Sequence, residues 1–357
     1  MTDLHGGAVF AAARELGRPW EDILDFSANI NPLGFPPGLG EHLFSLFEQV
    51  KHYPDPLAEA WRRELGDRLG LDPGLIIPGN GTTPLMHLLV RVIRPQRPVI
   101  VIPAFAEYDQ ALTRAGITPL MTACRPEDDF DLTSEALDRV FSLRPDLVFL
   151  ANPTSPAGRV LDRGLLEKVF FLAEKNNAWI VLDEAFIDFT RAPSLANRVV
   201  EYPRLMVLRS LTKIFSLPGL RLGYMTVPPS LAGLFWEVVE PWSLNVLALA
   251  AGTYCLDQDE FTARTRDMVA GERTWLSERL GFLGRTTPGE ANYLLVKLEQ
   301  PGWTVPDLAA GLRKNGVLIR DCASFQGVLQ GYFRTAVKTR AENMVLVETA
   351  RRVISGG

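Results

Sequence analysis

Residues 209–224 read RSLTKIFSLPGLRLGY, and the rest of the chain is best interpreted starting from this segment. Lys213 follows two hydroxyl residues, Ser210 and Thr212, and precedes Arg221 by eight positions. A lysine amine can form a Schiff base with an aldehyde, and a planar guanidinium suits a dianionic phosphate. The segment therefore predicts the lysine of a pyridoxal-phosphate (PLP) site, with an ordinary surface loop as the alternative. The remaining motifs separate these two interpretations.

The bulk composition limits the class of protein. The chain has 357 residues, of which 47% are hydrophobic and 22% charged. This length and composition suit one large and one smaller α/β domain. The net charge of −5 gives no electrostatic support for binding to nucleic acid.

Cysteine and histidine usage gives no sign of a metal site. The three cysteines, Cys124, Cys255 and Cys322, are odd in number and far apart, which argues against disulfides and zinc and fits a reducing cytoplasm. The four histidines show no metal-ligand spacing. The N-terminus has no signal-peptide pattern, and no apolar run reaches the length of a membrane span. We therefore expect a cytoplasmic protein without metal, nucleic-acid partner or membrane attachment.

Several apolar segments in the first two thirds of the chain predict buried strands, each followed by residues suited to bind a ligand. The strand ending near Pro78 leads into Gly81 and Thr82, where a glycine turn and a helix start attract anions. Asn152 follows the strand at 146–151, and strand ends of open α/β sheets are where ligands bind. Alternating strands and helices indicate a mostly parallel sheet with helices on both faces.

Asp183 ends the apolar strand segment that begins at Trp179. A carboxylate buried at such a position is costly unless it is paired, and a protonated pyridine nitrogen would be a suitable partner. An Asp that caps a turn is the alternative. Phe105 follows another strand end, at 98–103, where an aromatic ring can stack on a flat ligand or simply pack at the edge of the core.

These elements occur in the order Asn152 in NPTSPAG, Asp183 in LDEA, Lys213 in SLTK, and then Arg221. The order and spacing resemble the fold-type I PLP enzymes of the aminotransferase class I/II family over nearly the whole chain. The segments HYPDP, LDEAFIDF and FRTAVKTRAEN are similar to the histidinol-phosphate aminotransferase group of that family. The resemblance implies a PLP-binding α/β fold with a large domain and a smaller C-terminal domain.

The resemblance also implies a role for each matching residue. Lys213 would carry the cofactor aldehyde, Asp183 would pair with the pyridine nitrogen, and Asn152 would donate to the phenolic oxygen. Phe105 would stack on the ring, and Tyr53 would reach the cofactor phosphate of a neighbouring subunit, which implies a homodimer. The cofactor phosphate would be bound by Gly81, Thr82, Ser210, Thr212 and Arg221. In one departure from many relatives, Phe186 stands where they have tyrosine, so a hydrogen bond to the phenolic oxygen is missing.

The N-terminal arm, residues 1–40, carries a narrower resemblance. His5 in HGG and Asn31 in DFSANINPLG are similar to the threonine-phosphate decarboxylase group, whose reaction belongs to cobalamin biosynthesis. The resemblance implies that His5 and Asn31 bind a phosphorylated substrate. The alternative is a disordered tail followed by a turn.

We expect a large PLP-binding domain over residues 41–238 and a small α/β domain over 239–357. In the small domain, segments 291–297, 316–321 and 332–337 predict strands. Arg334 lies within an apolar strand, where an arginine usually has a specific anionic partner, and the family places it on the substrate carboxylate. Arg320 ends the preceding strand and would bind substrate carboxylate or phosphate, with a solvent-facing ion pair as the alternative.

The resemblance of the arm favours decarboxylation of L-threonine O-3-phosphate to aminopropanol phosphate. A 2-oxoglutarate-dependent aminotransferase that acts on histidinol phosphate is the second hypothesis. A non-catalytic PLP-binding protein is the third, but it would require a damaged site. Asn152, Asp183, Lys213 and Arg221 are all intact in this chain.

Overall fold

The computed structural model describes residues 6–326 and 329–356. The strands are β1 Leu24–Asp25, β2 Ile76–Gly79, β3 Pro98–Ile102, β4 Leu120–Ala123, β5 Leu147–Ala151, β6 Trp179–Asp183, β7 Leu205–Ser210, β8 Gly223–Thr226, β9 Gly284–Thr286, β10 Tyr293–Leu298, β11 Val317–Leu318, β12 Arg320–Asp321 and β13 Tyr332–Ala336. The helices are α1 Val9–Leu16, α2 Leu39–Ser45, α3 Glu59–Leu69, α4 Thr82–Ile93, α5 Ala106–Arg114, α6 Ser134–Ser142, α7 Arg163–Asn176, α8 Leu211–Ile214, α9 Pro229–Trp236, α10 Val246–Leu256, α11 Asp259–Arg279, α12 Val305–Lys314 and α13 Arg340–Ile354. Within these ranges no helix combines the length and the apolar character needed to span a bilayer.

The central sheet has seven strands in the order β2-β8-β7-β6-β5-β3-β4. Only β8 runs antiparallel to its neighbours, and the other pairs from β7 to β4 are parallel. The prediction of a mostly parallel sheet is therefore confirmed. The C-terminal ends of β5, β6 and β7 lie side by side, since Asp183 is in register with Ala151 and with Leu208.

Alternate residues of the central strands enter two different cores. Val148 and Ile180 belong to the core on one face of the sheet, whereas Phe149 and Val181 belong to the core on the other. Successive side chains of a strand point to opposite faces, so a strand covered by helices on both faces must be apolar throughout. This explains why these segments are continuous apolar runs rather than alternating ones.

Capping side chains define several helix starts. Asp162 accepts a hydrogen bond from the Leu165 N–H at the start of α7, and Asn245 accepts one from Ala248 at the start of α10. Thr339 and Glu342 form a capping box at the start of α13. Such caps satisfy N–H groups that have no partner inside the helix, which is why helices begin at these residues.

The C-terminal part of the chain forms a second, antiparallel sheet in the order β12-β13-β10-β9. The prediction of a single strand over residues 316–321 is wrong in detail. Val317 and Leu318 pair in parallel with the arm residues Leu24 and Asp25, whereas β12 pairs with β13. The arm is thereby attached to the C-terminal region, and Phe26 N donates to Leu318 O at 2.8 Å.

The boundary that we expected at residue 239 stays a prediction. Helix α10, which lies beyond it, packs against α2 and α3 of the preceding region. Helix α11 then leads to the second sheet, where it contacts β10 and α13.

Candidate active site

A cavity of about 560 Å³ lies where the C-terminal ends of the central strands face the second sheet. Most of the predicted site residues line it: Gly81, Thr82, Phe105, Asp183, Ser210, Thr212, Lys213, Arg221, Arg320 and Arg334. These residues are up to 253 positions apart in the chain, from Gly81 to Arg334. The fold therefore brings Gly81 and Arg334, which are far apart in the sequence, to the same cavity.

Lys213 lies in the short helix α8 directly after β7. Burial lowers the pKa of its amine to about 8, and the nearby positive charges of Arg334 and Arg221 act in the same direction. Asp183 opposes this shift because it favours the charged amine. A lysine in such surroundings has a substantial neutral fraction near neutral pH, which a nucleophilic amine requires.

Asp183 is the last residue of β6 and is buried. Its Oδ1 accepts from Ala185 N at 2.9 Å, and its Oδ2 accepts from the hydroxyl of Tyr108 at 2.6 Å. Burial raises the pKa of the carboxyl, while these two hydrogen bonds and the charge of Lys213 lower it. The carboxylate is thus held in one orientation at the edge of the cavity.

An anion-binding cradle forms between the start of α4 and Arg221. Gly81 precedes α4 with φ of +78°, and a Cβ on it would lie 2.3 Å from Arg221 Nη2. The guanidinium therefore lies directly over the glycine backbone, beside the free N–H groups of the helix start. Ser210 Oγ and Thr212 Oγ1 are 2.8 Å apart, and both residues line the same cavity. This donor set and the glycine that it requires fit a phosphate group.

Arg320 and Arg334 enter the cavity from the second sheet. They are register partners in β12 and β13, so their side chains are on the same face of the sheet. Arg334 Nη2 donates to Ser27 O at 3.1 Å, and Nη1 lies 3.5 Å from Ser155 Oγ. Asn29, oriented with its amide oxygen toward Arg334, accepts from Nε and Nη1 at 3.3 Å. These partners of Arg334 are neutral, and burial lowers its pKa.

Of the other predicted residues, Asn152 lies beside the cavity and Tyr53 lies away from it. Asn152 is buried next to it, and its Oδ1 accepts from Leu161 N at 3.0 Å, which fixes the orientation of the amide. Tyr53 is 84% exposed and lies against Trp242, with ring centroids 5.2 Å apart. His5 lies outside the described residues, although the adjacent Gly6 lines the cavity.

Asn31 makes its hydrogen bonds within the protein, and its predicted contact with substrate stays a prediction. Its Nδ2 donates to Ile214 O at 2.6 Å and to Thr265 Oγ1 at 3.0 Å, and its Oδ1 accepts from Leu33 N. The amide is buried and its bonds are made within the protein, so it does not line the cavity. Asn29 lines the cavity instead, and no local pattern in the turn distinguishes the two asparagines.

Sequence reasoning also missed Tyr108 and Ser155. Tyr108 lies in the first turn of α5, three residues after Phe105, and only its long-range contact with Asp183 reveals its importance. Phe186 lines the cavity and has no hydroxyl, and Lys213 Nζ lies 6.0 Å from its ring centroid. Its ring packs edge-on against the buried Tyr293 at 5.1 Å.

Comparisons with known proteins agree with this geometry. Residues 21–349 match the model of the family described as aminotransferase class I and II. A threonine-phosphate decarboxylase from Salmonella typhimurium is 34% identical, with 99% of this chain and 97% of that protein covered. A histidinol-phosphate aminotransferase from Methanosarcina mazei is 28% identical, with 96% of this chain and 91% of that protein covered.

The fold is likewise similar to a solved one. The crystal structure of the histidinol-phosphate aminotransferase from Clostridium acetobutylicum superimposes with a TM-score of 0.86 at 27% identity, covering 94% of this chain and 100% of that chain. The match spans both the central sheet and the second sheet. The chain belongs to the aminotransferase class I and II family of PLP-dependent enzymes.

Proposed function

We propose that this enzyme decarboxylates L-threonine O-3-phosphate to (R)-1-amino-2-propanol O-2-phosphate, the linker of the cobalamin nucleotide loop. The observation that carries the proposal is the pair Arg320 and Arg334, which face the same cavity as Lys213 from neighbouring strands. The similarity to the Salmonella typhimurium decarboxylase over 99% of the chain supports the same reaction.

The cofactor would be held by the residues around the cradle and the strand ends. Arg221, Ser210, Thr212 and the N–H groups that follow Gly81 would bind its phosphate, and Lys213 would hold its aldehyde carbon. Asp183 would face the ring nitrogen, Asn152 the phenolic oxygen, and Phe105 the ring. When bound, PLP supplies an electron sink for the pair released as a bond to the α-carbon breaks.

The charge of the substrate supports the use of two arginines. A phosphorylated amino acid carries a carboxylate and a phosphate, and the phosphate alone contributes about −1.5 to −2 charges at neutral pH. Arg334 would bind the carboxylate, and Arg320 would bind the phosphate or share the carboxylate. Because Arg334 is half-buried among neutral partners, an anion beside it would restore favourable interactions that its removal from water takes away.

Lys213 has a second task in this proposal. When substrate is bound, Lys213 would no longer hold the cofactor, and its free amine would remain inside the cavity. With a pKa of about 8, this amine can both hold and release a proton near neutral pH. It would return a proton to the α-carbon after carbon dioxide leaves.

A homodimer completes the proposed site. Tyr53 is exposed and is not among the residues that line the cavity of its own chain, and in a homodimer its hydroxyl would reach the cofactor phosphate of the second subunit. Trp242, whose ring lies 5.2 Å from that of Tyr53, is also exposed, as expected of a surface that a second copy covers.

The second candidate function is a 2-oxoglutarate-dependent aminotransferase acting on histidinol phosphate. It is favoured by the 0.86 TM-score of the Clostridium acetobutylicum aminotransferase. Arg320 and Arg334 would then bind the two carboxylates of 2-oxoglutarate when the keto acid occupies the cavity.

The two functions differ in what leaves the substrate. The purified chain with PLP is incubated with L-threonine O-3-phosphate and no keto acid, and carbon dioxide is measured. Sustained release that a Lys213→Ala variant lacks is the expected result. Absence of carbon dioxide, together with amino transfer from histidinol phosphate to 2-oxoglutarate, would overturn the proposal and establish the second function.

A further inference from the structure

We infer that Tyr108 is a positioning residue that acts on the cofactor through Asp183. The inference deepens the proposed function and rests on its placement of the cofactor ring nitrogen at Asp183. It holds for decarboxylation and for amino transfer alike, because both need the same ring. Tyr108 is held by contacts with Asp183, Phe149 and Phe105.

The hydroxyl of Tyr108 is committed to Asp183. It donates to Oδ2 at 2.6 Å, a distance typical of a strong hydrogen bond to a carboxylate. Ala185 N occupies Oδ1 at 2.9 Å, so each carboxylate oxygen already has one donor from the protein. Each oxygen keeps a lone pair that can accept from the cofactor. The two protein donors fix the orientation of the carboxylate and therefore the direction of these lone pairs.

The ring of Tyr108 is itself immobilised. It is 1% exposed and stacks on Phe149 of β5, with centroids 5.0 Å apart and planes 13° apart. Phe105 meets it edge-on at 5.9 Å. Helix α5 thus connects the residue proposed to stack on the cofactor with the residue that holds its carboxylate partner. A donor fixed in this way costs little reorganisation when the cofactor binds.

Burial and the neighbouring carboxylate raise the pKa of Tyr108 well above its ordinary value, so the hydroxyl keeps its proton and remains a donor. The hydrogen bond in turn lowers the pKa of Asp183 against the effect of burial. Among the other titratable groups, Lys213 after β7 lowers the pKa of Asp183, and Tyr293 of β10 lies close enough for the charge of Asp183 to raise the pKa of the Tyr293 hydroxyl. An ionised Asp183 is the form that can pair with a protonated ring nitrogen.

The test is the pH dependence of PLP affinity, measured on the full chain stripped of cofactor and titrated with PLP by absorbance. Tyr108→Phe removes only the hydroxyl and retains the ring stack on Phe149. We expect PLP affinity at neutral pH to fall about tenfold or more, since hydrogen bonds to charged groups are among the stronger ones. We also expect the loss of affinity in acid to begin at higher pH, because Asp183 takes up its proton more easily.

Tyr254→Phe is the matched control. It removes a tyrosine hydroxyl that donates to the backbone carbonyl of Pro37 at 2.7 Å, and Tyr254 is not among the residues that line the cavity. It should leave both PLP affinity and its pH midpoint unchanged. Equal affinity and an equal midpoint in Tyr108→Phe and the wild type would overturn the inference, as would an equal shift in both variants. Failure of the wild type to release carbon dioxide would instead overturn the proposed reaction and leave this titration intact.

Discussion

At the scale of single residues, the protonation of Lys213 depends on its surroundings more than on its own chemistry. Burial and the charges of Arg334 and Arg221 lower the pKa of the amine to about 8 from an ordinary 10.5. The folded chain therefore releases this proton at a lower pH than the unfolded chain. Below pH 8 the buried charge opposes folding, and stability gains from this group as pH rises from about 8 to 10.5.

The same shift predicts how the cofactor-free chain captures PLP. Only the neutral amine attacks the aldehyde, so the rate of capture should rise with pH and reach half its maximum near pH 8. The measurement is the growth of cofactor absorbance after mixing, at a series of pH values. Arg334→Ala removes a charge that lowers this pKa and should move the midpoint upward. A midpoint near 10.5 in the wild type would contradict the expected desolvation of Lys213.

Arg334 gives a second prediction at the residue scale. Arg334→Lys keeps a positive charge but loses the planar fork that contacts Asn29 and Ser27. We expect kcat/KM for L-threonine O-3-phosphate to fall about 100-fold, since damage to a buried charge pair typically costs ~2–5 kcal/mol. The PLP absorbance spectrum should not change.

The control for this substitution is Arg285→Lys in β9 of the same sheet. Arg285 is half exposed and pairs with Asp129. Its replacement should change kcat/KM by less than about twofold, because exposed ion pairs contribute little. Similar losses in both variants would remove the special role of Arg334.

At the scale of secondary structure, the proposed cofactor cradle depends on how α4 begins. Gly81 adopts φ of +78°, and its missing side chain makes room for the guanidinium of Arg221. Ser210 and Thr212 reach the same place because β7 ends beside β8 and leads directly into α8. The proposed phosphate site would thus be built from the start of α4, the end of β7, the start of α8 and the segment before β8.

We expect Gly81→Ala to lower PLP affinity at least tenfold, because the new methyl group would displace the Arg221 guanidinium. Gly116→Ala is a suitable control, since Gly116 has nearly the same φ of +77° and open space around it. Both variants should lose ~1 kcal/mol or more of folding stability through backbone strain. Only Gly81→Ala should bind PLP more weakly by absorbance titration, and equal affinity in the two variants would contradict the proposed cradle.

At the scale of the whole molecule, Tyr53 and Trp242 form an exposed aromatic pair, with ring centroids 5.2 Å apart. Tyr53 is 84% exposed and Trp242 50%, and exposed apolar surface of this kind is a candidate for covering by a partner. The proposed homodimer would cover this surface and bring Tyr53 to a second cavity. Dimerisation would therefore determine both the mass of the particle and the affinity for PLP.

We expect sedimentation equilibrium to give twice the 39.6 kDa mass of the chain. Tyr53→Phe should remain dimeric but bind PLP about tenfold more weakly, since it loses a hydrogen bond to a charged phosphate. A monomeric wild type with full affinity for PLP would contradict both expectations. Tyr254→Phe, whose hydroxyl donates to Pro37 O within its own chain, is the control.

The order of the site motifs and the fold class follow from local features of the sequence. Apolar runs predicted β5, β6 and β7 closely, because strands buried on both faces must be apolar throughout. Polar residues at their ends, such as Asp183, stand out against such runs and could be recognised without any structure. The same holds for Gly81 at the start of a helix.

Only the tertiary structure determined which side chains meet. The turn at 27–31 offers Asn29 and Asn31 with similar local surroundings, and only packing against Ile214 and Thr265 sends the amide of Asn31 away from the cavity. The bond from Tyr108 to Asp183 joins residues 75 positions apart. The division of residues 316–321 between two sheets depends on the arm that pairs with Val317. Contacts of this kind depend on how segments distant in the sequence pack against each other, and the local pattern of apolar residues does not specify this packing.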